Sequence, residues 1–232
     1  MADLKLEAAK AAVKRISPGQ IIGLGAGSTV AHLVDLVSQE QRLSGNVTFV
    51  SSSFKTNVYL LHKGQRVQTA GNTSSIDIYF DGCDQFDNSL NALKSGGGIH
   101  TTEKILASAA SDFILIGDEG KYAERLDTSR YPLVIEILPQ ALSSVVTKIA
   151  SELPAAKLVQ RMSNQKDGAL ISDNGNYLAD IFLDEPGDLA ALNIKIKMIP
   201  GIVEHSLFYN LASLAIIAGP DGIRELTRAQ LS

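Results

Sequence analysis

Between residues 20 and 37 the chain changes period at a glycine turn. Gln20-Ile21-Ile22-Gly23-Leu24 is a short apolar run of the kind that forms a buried strand, and it feeds directly into Gly25-Ala26-Gly27-Ser28-Thr29. Beyond the turn, Val30, Leu33, Val34 and Val37 recur at helical spacing. Upstream, Leu6, Ala9, Val13 and Ile16 describe another helix face that Ser17-Pro18-Gly19 brings to an end. Val47 to Val50, Arg66 to Thr69, Ile76 to Phe80 and Phe113 to Gly117 are further strand candidates, with helical stretches near 53–63 and 102–110 between them. Strands that alternate with helices imply a mainly parallel sheet covered on both faces.

After Tyr131-Pro132 the pattern changes. Leu133 to Leu138, Ala169 to Ser172 and Tyr177 to Phe182 read as strands, the last two joined into a hairpin by Asp173-Asn174-Gly175-Asn176. Helices near 139–151 and 187–193 accompany them, and Leu214 to Gly219 reads as a strand returning to the first sheet, with His205 at the return. The expected fold class is α/β: a Rossmann-like, mainly parallel sheet domain (1–131 plus 205–232) with a smaller α+β domain (132–204) inserted.

Composition narrows the function. A chain of 232 residues, 45% hydrophobic and 20% charged, can bury a full core. A formal charge of −4 argues against a nucleic-acid partner, since phosphate-backbone binders present a strongly basic face. The lone Cys83 excludes an internal disulfide and a cysteine-based zinc cluster. The N-terminus carries charges where a secretory signal needs an apolar core, and no stretch approaches a membrane span. The expectation is a cytoplasmic protein with no membrane partner.

Two short stretches concentrate reactive side chains. Asp81-Gly82-Cys83-Asp84 follows the apolar run at the carboxyl end of a sheet strand, the edge at which open α/β sheets bind ligands. Lys94-Ser95-Gly96-Gly97-Gly98 is followed by Glu103, in the first turn of a helix that Thr101 or Thr102 can cap. A carboxylate there can take a proton from a carbon next to a carbonyl, and an ammonium can steady the resulting oxyanion. The turn at Ala26 to Thr29 offers N–H groups and hydroxyls to a phosphate, although it lacks the third glycine of a dinucleotide fingerprint. Each feature has a plainer reading: a tight turn capped by Ser28 or Thr29, capping aspartates at 81, 84 and 87, a dipole-favoured Glu103 and a solvated Lys94. Clustered carboxylates can hold a divalent metal, but no histidine pair accompanies them to complete a transition-metal set. Cys83 reads as a small packing residue, His32, His62 and His205 as structural or surface groups, and His100 as a neighbour of the glycine loop.

Taken in register, Gly23 to Thr29, Asp81 to Asp84, Lys94 to Gly97 with Glu103-Lys104, Asp118-Glu119-Gly120-Lys121, Glu136-Ile137-Leu138-Pro139, Asp173 to Asn176 and Ile199-Pro200-Gly201-Ile202-Val203-Glu204-His205 resemble type A ribose-5-phosphate isomerases over nearly the whole chain. The resemblance implies an interconversion of ribose 5-phosphate and ribulose 5-phosphate through a cis-enediolate that needs neither a metal nor a cofactor. By position it makes Glu103 the proton shuttle and Asp81 the aid to ring opening, with Asp84 and Lys94 on the enediolate oxygens. It makes Ala26, Gly27, Ser28 and Thr29 a substrate loop with Lys121 and Lys5 at the phosphate, and brings Gly82, Cys83, Ser95, Gly96 and Gly97 to the sugar. It also implies a homodimer or homotetramer with the smaller domain at the interface.

The chain departs from that family at Ala26, Cys83, Gln85, Ser95 and Thr102, where threonine, alanine, glutamate, glycine and arginine are usual. Ser95 is expected to add a side chain where backbone approaches the sugar, and Thr102 to remove a charge beside Glu103. Isomerisation of another aldose phosphate, or a non-catalytic sugar-phosphate sensor, stays open at this level; a sensor would not need Asp81, Asp84, Lys94 and Glu103 together.

Overall fold

The computed structural model describes residues 3–228. The first half contains α1 (Leu4–Val13), β1 (Ile21–Leu24), α2 (Ser28–Gln39), β2 (Thr48–Ser51), α3 (Phe54–His62), β3 (Arg66–Val67), β4 (Ile76–Asp81), β5 (Gln85–Phe86), β6 (Ala92–Leu93), α4 (His100–Ala109) and β7 (Ala110–Asp118). The second contains β8 (Leu133–Ile137), α5 (Leu142–Glu152), β9 (Lys157–Gln160), β10 (Tyr177–Phe182), α6 (Leu189–Lys197), β11 (Ile202–His205), β12 (Leu207–Phe208), β13 (Leu214–Gly219) and β14 (Gly222–Thr227).

A seven-stranded sheet runs in the order β14-β13-β7-β4-β1-β2-β3, parallel throughout except for β14 on its edge. Side-chain alternation sorts its two faces. Ile78 and Phe80, Ile114 and Ile116, and Leu214 and Ile216 join Ala9, Ala12, Leu33 and Val37 of α1 and α2 in one core. Tyr79, Phe113, Leu115, Ala215 and Ile217 point the other way, onto Leu106 and Ala107 of α4 and onto Phe208. Burial on both faces is why these strands read as continuous apolar runs. α1 stops at Val13, and Ile16 reaches the core from the turn beyond it.

A four-stranded sheet, β11-β8-β10-β9, carries its own core, in which Ile135, Ile137, Ala179 and Ile181 meet Val145 and Ile149 of α5 and Leu192 and Ile196 of α6. Here the structure differs from the hairpin expected at 169–182. The turn exists, with Gly175 at φ +80° and Ser172 N–H bonded to Asn176 O at 2.8 Å. Its first arm, however, makes only the isolated bridges Met162–Ala169 and Ile171–Tyr177, because both edges of β10 are taken by β8 and β9. His205 closes β11 opposite Ile135 of this smaller sheet, ahead of the return to the larger one.

The two sheets meet at a third, β12-β6-β5. Gln85 pairs with Leu93 and Leu93 with Leu207, all antiparallel, so Asp84 and Lys94 leave the end of this ladder side by side. Asp84 N–H bonds to Leu93 O at 2.9 Å and Lys94 N–H to Ser206 O at 3.1 Å. Asp87 serves the hairpin turn instead, accepting from the amides of Ser89 and Asn91 at 2.9 Å each while Leu90 adopts φ +59°.

Gly201 leads into β11 at φ +99°, and a side chain there would overlap Ala141. Gly201→Ala is expected to destabilise the protein by about 1–3 kcal/mol, from left-handed strain and overpacking together. Urea unfolding checks this; an unchanged midpoint would contradict the close approach.

Candidate active site

The chain leaves β1 toward β2 on one side, while β4 and β7 lie on the other, so the connection direction reverses beside β1. Crevices for ligands form outside the carboxyl ends of parallel strands at such a point. A cleft of about 300 Å³ opens there. The turn Ala26 to Thr29 forms one wall, and Gly82, Cys83 and Asp84 form another. Lys94, Gly96, Gly97 and Glu103 close the inner end, with Lys121 and, from α1, Lys5 at the outer end. Ile116, Gly117 and Asp118 at the end of β7 complete the lining.

The inner end is organised around one ammonium. Lys94 Nζ lies 2.7 Å from Asp81 Oδ2, 3.3 Å from Glu103 Oε1 and 2.5 Å from Gly82 O, one acceptor for each of its three protons. All three charged residues are buried, Asp81 at 0%, Glu103 at 5% and Lys94 at 8% exposure. Asp81 sits beneath the cleft lining. Tyr79 O–H donates to its Oδ2 at 2.8 Å, and the amides of Gly82 and Ala26 donate to Oδ1 at 2.8 and 3.3 Å. This seat exists only because residue 25 is glycine: a Cβ there would overlap the Asp81 carboxylate.

Two carboxylates share one cation, and burial decides the consequence. Burial pushes the Glu103 carboxyl well above the usual carboxylate range; Lys94 opposes the rise and the charge of Asp81 adds to it. Burial alone would lower Lys94, yet Asp81 and Glu103 hold it above the usual lysine range, so it stays charged. Burial and the same two carboxylates push Tyr79 up, keeping it a donor.

Asp84 is held by the glycine loop. Its Oδ2 accepts from Ser95 N–H at 2.6 Å and Gly96 N–H at 3.1 Å. The Ser95 side chain, expected to crowd the sugar, turns away and donates to Pro132 O at 2.7 Å. Arg161 of the smaller sheet reaches the carbonyls of Ser95 and Gly96. The helix behind the loop is not capped by Thr101 or Thr102 as expected; its N-cap is Ile99, with no side-chain cap bond. Thr101 O–H instead donates to Glu136, a fully buried carboxylate that also accepts from Ser172 at 2.6 Å, Asn176 at 2.8 Å and Asn174 at 3.1 Å. Burial opposes the Glu136 charge, but these bonds outweigh it and hold the carboxyl below its usual range. The turn 172–176 thus clamps α4 two residues before Glu103.

At the outer end α2 begins at Gly27, whose φ of +111° suits glycine. Neither Ser28 nor Thr29 caps the helix, and neither hydroxyl makes a hydrogen bond within the described residues. The first N–H groups of a helix have no intrahelical acceptor, and the helix dipole makes this end positive. Lys121 ends a single 3-10 turn, Glu119–Lys121, whose cap is the Asp118 carboxylate accepting from Gly120 N–H at 3.1 Å.

The histidines stand apart. His100 is buried with Nε2 3.3 Å from Glu204 O, which can only accept, so Nε2 carries the proton; burial pushes its pKa down to about 4. It does not border the cleft. His205, pushed down to about 3 by burial and by Lys104, donates from Nε2 to Asn193 O. Gly25, Tyr79, Glu136 and Arg161 are the supports that sequence reasoning did not assign. Gly25, Tyr79 and Glu136 lie within stretches already noted; nothing in the sequence points to the contacts of Arg161.

An open helix N-terminus facing a buried carboxylate–ammonium–carboxylate set can hold a small phosphorylated anion and move a proton on it. Fold and cleft together define a class, α/β proteins with a crevice suited to acid–base chemistry on a small anion. A sequence model described as Ribose 5-phosphate isomerase A (phosphoriboisomerase A) matches residues 48–222. The ribose-5-phosphate isomerase A of Methanosarcina acetivorans is 36% identical over 97% of this chain and 94% of its own length. The solved ribose 5-phosphate isomerase A of Methanocaldococcus jannaschii superposes with a TM-score of 0.88 at 32% identity, covering 97% of this chain and 98% of that one. A D-ribose-5-phosphate isomerase in complex with phospho-erythronic acid gives 0.90 at 31%, with the same coverage. The chain belongs to the ribose-5-phosphate isomerase A family.

Cys83 lines the cleft between Gly82 and Asp84, but burial pushes its thiol up to about 12 despite Lys94 nearby. The neutral form is a poor nucleophile. Iodoacetamide at pH 8 is expected to modify native Cys83 at least ~10-fold more slowly than an unfolded control, whose thiol has a pKa of about 8.5. Equal rates would show an exposed thiolate.

Proposed function

We propose that the protein interconverts D-ribose 5-phosphate and D-ribulose 5-phosphate through a cis-enediolate, as in the non-oxidative pentose phosphate pathway, with Glu103 as the proton shuttle. The observation that carries this reading is the Lys94 ammonium between Asp81 and Glu103, 2.7 and 3.3 Å away, at the inner end of a cleft whose outer end is the open N-terminus of α2.

Asp81 assists opening of the furanose ring. Glu103 then takes the C2 proton of the open-chain aldose; that electron pair forms the C1=C2 bond, and the carbonyl pair moves onto O1. Lys94 and the loop amides stabilise the charge on oxygen while Asp84 orients the hydroxyls. Protonated Glu103 returns the proton to C1, the O2 proton passes to O1, and C2=O forms, so atoms and charge balance. The Glu103–Lys94 contact is the longest of the three made by the ammonium, which suits its replacement by a substrate oxygen and leaves the carboxylate free. Ser28, Thr29, the helix N-terminus, Lys121 and Lys5 supply the phosphate site.

The same reading includes the segment 132–204 as an inserted domain, a cytoplasmic setting and assembly as a homodimer or homotetramer. The separate core of the smaller sheet supports the first. Ile194 and Met198, strongly exposed on and just after α6, support the last. No helix of the described residues is long and apolar enough to cross a membrane.

Glu103→Gln is expected to lower kcat for ribose 5-phosphate by about 10²- to 10⁴-fold with the fold intact. Because Glu103 must be deprotonated to act and its carboxyl is raised, kcat/KM of the wild type should climb with pH through a limb well above the usual glutamate value of about 4.3. Assay in EDTA, with a panel of other aldose phosphates alongside, checks both. Full activity in the variant removes Glu103 as the base, a limb near pH 4 removes its raised carboxyl, and turnover of another sugar alone changes the substrate.

Lys121→Ala should raise KM with less effect on kcat, since phosphate is held alike in ground and transition states. An unchanged KM would take Lys121 out of the phosphate site.

A further inference from the structure

Two consecutive carbonyls of the glycine loop turn out of the cleft onto one guanidinium. Arg161, next in the chain after β9, donates from Nη2 to Ser95 O at 2.5 Å and from Nη1 to Gly96 O at 2.9 Å. Its Nε donates to Asp180 Oδ1 of β10 at 2.8 Å, so the fork is pinned from behind. Arg161 does not border the cleft.

Peptide planarity converts this grip into a statement about the cleft. In a trans peptide the N–H points opposite to the C=O. Ser95 O on Arg161 therefore sends Gly96 N–H the other way, where it meets Asp84 Oδ2. Gly96 O on Arg161 sends Gly97 N–H toward the same side, and that amide makes no hydrogen bond within the described residues. Gly98 follows at φ +71° with Leu178 packed where its side chain would be, which seats the loop against β10. A cation on the carbonyl side also strengthens each N–H as a donor.

Resting on the isomerase reading, we propose that Arg161 is a positioning residue: its grip on the Ser95 and Gly96 carbonyls aims the Gly96 and Gly97 amides at Asp84 and at the oxygens of the reacting sugar. A lysine cannot replace it, because an ammonium lacks the planar fork that spans two carbonyls.

Arg161→Met and Arg161→Lys test this, with Asp180→Asn as a variant that keeps the guanidinium but releases its anchor. Expected are a fall in kcat of about 10- to 100-fold for both Arg161 variants and a smaller fall for Asp180→Asn. KM should change little. Binding of phospho-erythronic acid, whose carboxylate resembles the enediolate oxygens, should weaken in step with kcat, whereas binding of inorganic phosphate should not. Amide hydrogen exchange at Gly96, whose N–H is held on Asp84, should quicken in the unliganded variants, and guanidinium added to Arg161→Ala should restore part of the rate. Wild-type kcat and exchange in folded variants would overturn the proposal. So would full activity in Arg161→Lys, or equal weakening of phosphate and phospho-erythronic acid. A wild type inactive on ribose 5-phosphate would defeat the isomerase reading alone, because amide exchange and phosphate binding report the grip without turnover.

Discussion

The buried ammonium of Lys94 is the contact around which the rest is arranged. Removing a charge from water costs several kcal/mol even after relaxation, and this one is removed together with two carboxylates. The arrangement persists because Asp81 and Lys94 have partners for all of their polar atoms. Asp81 has a tyrosine hydroxyl, two amides and the ammonium, while Lys94 has an acceptor for each proton. Burial raises the Glu103 carboxyl, and its single 3.3 Å contact with Lys94 opposes the rise without cancelling it. Carboxyls perturbed by burial beside a specific charge partner cluster at functional sites.

That set stands where two sheets join, and the join is built from polar contacts as much as from apolar ones. Lys94 and Lys104 lie over the ring of Phe208, 5.6 and 5.2 Å from its centre, so the Lys94 cluster and the Lys104–Glu204 pair share one buried aromatic. Burial opposes the charge on Glu204, but Lys104 and Lys197 hold its carboxyl down to about 2. Glu136 ties the turn 172–176 to Thr101, and no lysine or arginine pairs with it among the described residues. The smaller sheet thereby fixes both the loop in front of Glu103 and the helix that carries it.

Residues with a local or periodic signature were legible in the sequence, and those defined by a tertiary hydrogen bond were not. Leu133–Ile137 and Leu214–Gly219 announce themselves because each is buried along its whole length. β9 and β14 do not, since β9 has no fully buried residue and β14 is almost wholly exposed, so neither carries an apolar alternation. β5, β6 and β12 are two residues each and exist only as a joint ladder. The resemblance named Asp81, Asp84, Lys94 and Glu103, and the fold brings them to one end of one cleft or directly beneath it. Tyr79 was visible as a strand residue, but its bond to Asp81 follows from period-two geometry only once the strand is known to end at Asp81.

The departures from the usual family residues are absorbed unequally. Gln85 accepts from Asp127 N–H at 2.6 Å, so it has a structural partner, and Thr102 does not border the cleft. Ala26 keeps the backbone role of its position, since its amide still reaches Asp81, and forgoes only a side chain on the open wall. Ser95 is different in kind. Its hydroxyl bonds to Pro132 O while its carbonyl lies on Arg161 and its amide on Asp84, so one residue is held from three directions by three parts of the chain. A glycine at that position would leave the loop to Arg161 and Asp84 alone and would carry more backbone freedom into the unliganded state. The serine side chain therefore adds no bulk to the cleft; its bond to Pro132 O stiffens the loop from the side away from it.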